Sequence, residues 1–417
     1  MQLQPVDHFI DLVRRQAPAD LPGARIRDLG LASDGEQFMA VSVPGTPERA
    51  VVLGYPHPSE PLAQIAWAAL VQTMRQRQQI GGDGSWLIVP VWDAAGARLA
   101  ERAWAGGDPS VRALAANWVR PAPSLQVEWS FPVDLGEERF DAPRPETAAV
   151  REVLTEMSPQ FLFSLHNALF PDGYALVSDG LADCESNLGR ALDEEQMGRR
   201  HPCPIPYVPV FGQGVYGLPG VRREQAYLTS LGHRSQQAIG HGAASFDVCP
   251  ASLSCVLELP LLSWRTAAIR DWDDTVPLAE AESGLWELLY DMCERLPQAR
   301  QPGQEPDAAY LLSSPRYFGD MARSSGIRPA GVPVTPPQIP RRELASRVCT
   351  SVFTIASNIA MLQRGYGMPV VFPDRVSEAL SRIDRMVAWR DPQSLARCLA
   401  HCMAVVLSTQ HPGPEEE

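Results

Sequence analysis

The chain has 417 residues, 45% of them hydrophobic and 20% charged, with a formal net charge of -13 and a pI of about 5.2. That is the composition of a globular protein long enough for one large core or two domains, and its acidity argues against a phosphate backbone as partner, so no nucleic acid is expected. All 36 basic residues are arginine, read here as codon bias without functional content.

The first fifteen residues lack a basic start, an apolar run and a small-residue cleavage site, so no secretory signal is expected. No stretch of eighteen apolar residues stands out, and no membrane span is expected. The eight cysteines are widely and irregularly spaced with no C-x-x-C pair, which predicts reduced thiols and a cytoplasmic location. Cys398 and Cys402, four apart on a predicted helix, read as two buried small side chains in preference to a metal pair.

In chain order, residues 5–17 read as a short amphipathic helix, 38–43 and 50–55 as strands, and 62–79 as a helix opening behind Pro61. Residues 86–92 form another apolar strand. A proline-studded stretch, 117–131, leads to a helix over 145–157 that opens on Pro145 with Glu146 in its first turn. Residues 160–167 and 174–178 read as strands, and 182–199 as a polar helix. Residues 201–220, rich in proline, glycine and aromatics, read as a long loop. A late buried strand, 252–259, and a helix, 279–295, follow. A break dense in proline, serine and glycine runs from 298 to 340. Beyond it 341–363, 373–388 and 392–408 read as three helices, and the polar tail as disordered.

This alternation predicts an α/β fold, a mixed, largely parallel central sheet flanked by helices. The expected organisation is a catalytic domain over 1–300, a connector over 301–340 and a helical C-terminal region over 341–417. Those last helices could pack on the catalytic domain or make a homo-oligomer.

The candidate chemistry starts at Tyr55-Pro56-His57-Pro58-Ser59-Glu60-Pro61, on the turn after a strand. Imidazole and carboxylate are ordinary zinc ligands, and a catalytic zinc site takes three protein ligands plus a water. His57 and Glu60, three apart, can reach one cation. His166 ends the apolar strand Phe161-Leu162-Phe163-Ser164-Leu165-His166. Parallel strands ending at one sheet edge would carry it to the same crevice; alternatively it caps a strand at the surface. Glu258 interrupts the apolar run Ser254-Cys255-Val256-Leu257-Glu258-Leu259. A carboxylate there is costly to bury without a task, and a general base would be such a task; an edge-strand glutamate facing solvent is the alternative.

These features, in this order, resemble the zinc carboxypeptidases, the carboxypeptidase A-like metallopeptidases. The segment from Pro90 to Leu99 looks like a decayed form of that family's Asn-Pro-Asp-Gly segment. Pro145-Glu146-Thr147 resembles its helix start ahead of the histidine strand. The resemblance covers about residues 35–265. It implies a zinc peptidase sandwich with one zinc ion held by His57, Glu60 and His166, and Glu258 activating a water that attacks an amide carbonyl. It also implies that Arg120 steadies the oxyanion, and that Glu128 accepts a hydrogen bond from the second nitrogen of His57. A surface arginine and a solvated strand glutamate are the plain alternatives for these two.

The chain also departs from that family. The Asn-Arg pair that grips a terminal carboxylate is replaced by Trp129-Ser130-Phe131-Pro132, which cannot pair bidentately with a carboxylate. Either Arg98, Arg234 or Arg265 substitutes, or the substrate has no such carboxylate. The family's tyrosine is missing from 232–237, leaving His233 or His241 near the leaving group, or as ordinary loop histidines. Trp129, Phe131, Tyr207, Phe211 and Tyr216 could line a pocket or belong to the core. The reading is a zinc-dependent, carboxypeptidase-like hydrolase of an amide bond in a peptide or acylated small molecule. Its alternatives are an amidohydrolase or deacylase acting on a small metabolite or biosynthetic intermediate, and an inactive zinc-binding scaffold.

Overall fold

The computed structural model describes residues 3–105, 110–136, 139–200, 203–231, 241–265, 275–299, 301–303, 307–325 and 341–409. Its centre is a nine-stranded sheet built from β1 (Arg25–Leu31), β2 (Gln37–Thr46), β3 (Ala50–Gly54), β4 (Gly84–Val89), β5 (Phe161–His166), β6 (Tyr174–Val177), β7 (Val210–Gly212), β8 (Val215–Gly217) and β9 (Leu253–Glu258). The spatial order is β1-β2-β4-β3-β5-β9-β6-β8-β7. The neighbours β4, β3, β5 and β9 are mutually parallel, while β1, β2 and β6 pair antiparallel at the flanks. The fold is therefore α/β with a mixed sheet, parallel at its centre and flanked by helices.

The parallel strands were legible because both their faces are covered, which requires an unbroken apolar run instead of alternation. All five residues of β3 are buried, as are all six of β5. The strand β1 was not anticipated: its sequence Arg-Ile-Arg-Asp-Leu-Gly-Leu lies at the sheet edge, mostly exposed, and carries no apolar pattern. The expected long loop over 201–220 is corrected as well. It contains the hairpin β7–β8, which turns at Gly214 with φ of 83°.

The longer helices are α1 (Val6–Asp20), α2 (Trp67–Ile80), α3 (Pro145–Met157), α4 (Glu185–Glu194), α5 (Thr275–Ala299), α6 (Ala308–Ser325), α7 (Arg341–Gly365), α8 (Asp374–Met386) and α9 (Pro392–Leu407); a further ten-residue helix covers Val221–Ser230, and shorter helices and turns lie between. One expectation for the C-terminal third needs correction. The connector over 301–340 contains α6, which tolerates Pro315 inside it. Among the described residues, the helices beyond 341 pack on the rest of the chain, one of the two arrangements expected for them. Val348, Val352, Ile355 and Ile359 of α7 belong to the same buried cluster as β3, β5 and β9, and α7 packs on α5, α6, α8 and the short helix Val111–Asn117. The predicted tail beyond 409 lies outside the described residues. Arg342–Gly365 is, by length and composition, a helix apolar enough to cross a membrane, contrary to the sequence expectation; 78% of its apolar window is buried inside the protein, as in a core helix.

Candidate metal centre

The C-terminal ends of β3, β5 and β9 lie side by side. Gly54 pairs with Leu165, and His166 pairs with Glu258, so the candidate groups leave the sheet at one edge. Gly54 cannot carry a side chain: a Cβ there would stand 2.4 Å from Cβ of Ala63 and 2.5 Å from the Pro90 carbonyl oxygen. Next, Tyr55 turns the chain with φ of 49°, a left-handed conformation costly for an aromatic residue. Backbone bonds from Trp92 to Gly54 (2.8 Å) and from Asp93 to Tyr55 (2.9 Å) hold this turn, and Glu60 N–H donates to the His57 carbonyl at 3.2 Å.

His57, Glu60, Glu128 and His166 are all buried. Glu128 comes from a 3-10 turn, Val127–Trp129, and not from a strand. It stands behind both imidazoles, 3.4 Å from Nε2 of His57 and 3.2 Å from Nε2 of His166, and also accepts the Ser164 hydroxyl at 3.1 Å. The two rings lie 5.0 Å apart between centroids. With both Nε2 atoms turned to Glu128, the Nδ1 atoms are left for the other side. There, Nδ1 of His166 is 2.9 Å from Glu60 Oε2 and 3.8 Å from Glu258 Oε1. Nδ1 of His57 is buried with no hydrogen-bond partner among the described residues. Glu60 is held by Arg120 at 2.5 Å through its other oxygen, and by the Asn167 N–H at 3.4 Å.

Burial pulls His57 down to about 4, the charges of Arg120 and His166 acting the same way, so its ring is a neutral donor at pH 7. Burial opposes ionisation of Glu60, but His57, His166 and Arg120 outweigh it and hold Glu60 down at about 2. Glu128 is likewise kept well below the usual carboxylate range against its burial, chiefly by His166. Burial would lower His166 too, yet Glu128 and Glu60 on its two nitrogens raise it well above the ordinary value. Burial pushes Glu258 up to about 7 although His166 lies nearby.

One atom each from His57, Glu128 and His166 lies within 4.8 Å of the others, so these buried groups could hold a metal ion. A second carboxylate, Glu60, serves the Nδ1 side. The donor set of two imidazoles and a carboxylate fits a divalent ion of the zinc type. The unpartnered Nδ1 of His57 favours the Nδ1 side, because Glu128 is already shared between two rings and a hydroxyl.

Beside the cluster is a cavity of about 340 Å³ whose walls include Glu60, Arg120 and Glu258, and, across from them, Thr354 and Asn358 of α7. Its aromatic lining is Trp118, Phe170, Tyr174, Phe318 and Phe353. The aromatics proposed from the sequence are not there: Phe131 and Tyr216 are fully buried core, and Tyr207 packs on Tyr227. Arg98 is paired with Asp7 and Asp34, and Arg265 donates to the Val387 carbonyl, so neither lines the cavity. His241 pairs with Glu224 at 3.3 Å. His233 and Arg234 lie outside the described residues. The sequence reading missed the contribution of α7. Its signal was Thr350, Thr354 and Asn358, polar residues four apart on a helix whose Val348, Val352, Ile355 and Ile359 are core.

No protein-family model matches the sequence, and no curated protein matches it. Solved structures similar in fold include a metallo-carboxypeptidase from Burkholderia cenocepacia, with 17% identity over 61% of this chain and TM-score 0.36. A metallo-carboxypeptidase from Pseudomonas aeruginosa has 12% identity over 61% of this chain and TM-score 0.37. Carboxypeptidase A from Helicoverpa armigera has 11% identity over 62% of this chain and TM-score 0.40. The matched part spans 58% of the Burkholderia chain, 58% of the Pseudomonas chain and 65% of the Helicoverpa chain. The likeness is one of fold and does not identify a reaction.

Proposed function

We propose that this chain is a zinc-dependent hydrolase that cleaves an amide bond. The observation that carries the reading is the buried, unpartnered Nδ1 of His57 beside the His166–Glu60 contact, with Glu258 in register next to His166. His57, Glu60 and His166 would hold one ion, with Glu128 fixing both rings from behind. Bound zinc supplies a Lewis acid and lowers the pKa of water towards neutrality. Glu258, pushed up to about 7 by burial, is suited to take a proton from water and return it to the leaving nitrogen. Arg120 lines the cavity with its side chain 40% exposed, so N–H groups not engaged by Glu60 can face a developing oxyanion. The eight free cysteines suit a reducing, cytoplasmic compartment.

Metal analysis of the purified protein tests this reading. About one zinc per chain is expected, lost in His57→Ala, Glu60→Ala and His166→Ala. Glu258→Gln should keep the metal and lose turnover. Amide hydrolysis by a metal-free native protein would overturn the reading, and zinc without turnover would favour a binding or scaffold role. Within hydrolases, a small-molecule amidohydrolase or deacylase is favoured over a carboxypeptidase. Two observations support it: α6 and α7 help wall the cavity, and no arginine occupies 129–132. Turnover of acylated small molecules in preference to peptides would support that choice.

A further inference from the structure

The cavity beside the cluster adjoins a second one of about 570 Å³, and both are lined by Arg200, Pro204, Phe318, Thr350 and Thr354. Arg200 stands at the junction. Its position is fixed by backbone contacts: its N–H donates to the Gly173 carbonyl at 3.0 Å, and its own carbonyl accepts the Tyr216 hydroxyl. Gly173 precedes Tyr174, the register partner of Glu258, so Arg200 is tied to the sheet edge that carries the cluster.

The side chain of Arg200 is half-buried, and its one hydrogen-bond partner among the described residues is neutral: Nη1 donates to the Ser346 hydroxyl at 2.8 Å. No carboxylate among the described residues makes an ion pair with it. Asp172, in the wall of the larger cavity, is engaged by both Nε and Nη2 of Arg342. In the smaller cavity the other cation, Arg120, already has a counter-charge in Glu60, which it meets through Nη1. A guanidinium that faces two cavities with no direct ion pair, Asp172 lying within electrostatic reach but engaged by Arg342, is a site for an anion, and its planar fork suits a carboxylate or another oxyanion.

The facing wall adds a second selection. Thr350 and Thr354 donate their hydroxyls to the carbonyls of Ser346 (2.7 Å) and Thr350 (2.8 Å), and Asn358 donates its amide to Thr354 (2.8 Å). With these protons spent inside α7, the hydroxyl oxygens can only accept from a ligand. A matching molecule therefore carries an anionic group for Arg200 and N–H or O–H donors for α7.

We infer that Arg200 is the specificity-determining residue of this site, gripping the anionic group of a small amide substrate whose scissile bond lies over His57, His166 and Glu258, with the hydroxyl face of α7 as the opposite wall. The inference deepens the hydrolase reading and rests on it for the reaction, though not for anion binding.

The test uses thermal unfolding of the full chain with succinate, glutarate and adipate against their neutral diamides, and kinetics on N-acetylglycine against N-acetylglycinamide. At least one dicarboxylate should raise the Tm of the wild type while its diamide does not. The shift should vanish in Arg200→Gln and persist in part in Arg200→Lys. KM for N-acetylglycine should rise about tenfold or more in Arg200→Gln with kcat nearly unchanged, and KM for the neutral amide should not move. Equal responses of wild type and Arg200→Gln to the dicarboxylates, or no response of the wild type, would overturn the inference. So would equal losses on charged and neutral substrates, which mark Arg200 as only a tether for Ser346. A protein that binds dicarboxylates through Arg200 but hydrolyses neither amide keeps the inference and defeats the hydrolase reading. One that hydrolyses both amides equally well without Arg200 does the reverse.

Discussion

Nδ1 of His166 lies 2.9 Å from Oε2 of Glu60, and both side chains are buried. The contact is a charge-assisted hydrogen bond in the metal-free protein, because Glu60 and Glu128 raise His166 well above its ordinary value and keep it protonated at pH 7. A metal ion on that nitrogen must displace the proton. Zinc added to the metal-stripped protein at pH 7 should therefore release about one proton, and its affinity should fall as pH falls. Calorimetry in buffers of differing ionisation enthalpy measures this, and a binding heat independent of buffer would refute it.

Glu128 serves two rings, so its loss should be felt at both. Glu128→Gln offers one acceptor oxygen in place of two charged ones and should weaken zinc binding about 10–100-fold, as read by competition with a chromogenic chelator. Unchanged affinity would mean that the rings are oriented by Ser164 and the backbone alone.

Gly54→Ala tests how tightly the turn is held. A Cβ would collide with the Pro90 carbonyl and with Ala63, and neither is the flexible end of a side chain. The strand end must shift, carrying His57 with it. A loss of about 1–3 kcal/mol in denaturant unfolding is expected, together with reduced zinc content. Wild-type metal content would show that the turn adjusts without moving His57.

Much of this arrangement was legible before any coordinates. The parallel strands announce themselves as unbroken apolar runs, and His166 and Glu258 stand where such runs end or are interrupted, a position that two-sided burial makes conspicuous. The fold class followed from the alternation of those strands with helices. The cavity wall was not legible. Which face of α7 looks into a cavity is decided by the packing of α5, α6 and α8, and Thr350, Thr354 and Asn358 by themselves look like an ordinary polar stripe. Arg200 was hidden for a related reason, since its neighbours Gly173 and Ser346 are remote in sequence. The edge strand β1 has no buried face to impose a pattern.

Asp93 gives a pH dependence separate from the metal cluster. It caps the short helix Ala94–Ala100 by accepting the Gly96 N–H at 2.9 Å, and it accepts the Tyr310 hydroxyl of α6 at 2.8 Å. Burial pushes it up to about 6 from 3.8, Arg144 only partly opposing. A folded-state value above the unfolded one means that its contribution is full below pH 3.8 and is lost as pH rises through 6. Asp93→Asn keeps one acceptor oxygen for the Gly96 N–H, turns an amide N–H to the Tyr310 hydroxyl, which can accept it, and removes the titration. Urea unfolding from pH 4 to 7 should show the wild type losing about 2–3 kcal/mol relative to the variant across that window. Parallel profiles would indicate that Asp93 does not titrate there.

The last prediction concerns the boundary near residue 300. The side chains of Val348, Val352, Ile355 and Ile359 are completely buried, and all four lie on α7. At about 1.5–3 kcal/mol for each buried aliphatic side chain, their exposure costs on the order of 6–12 kcal/mol. The whole stability of a typical domain is about 5–15 kcal/mol. A chain ending at residue 300 would also lose Tyr310 from Asp93 and the α7 wall of the cavity. It should therefore fail to unfold cooperatively by circular dichroism and should bind the hydrophobic dye ANS. Cooperative unfolding of that fragment, with zinc bound, would instead make residues 1–300 an independent unit and reduce the C-terminal helices to an attachment.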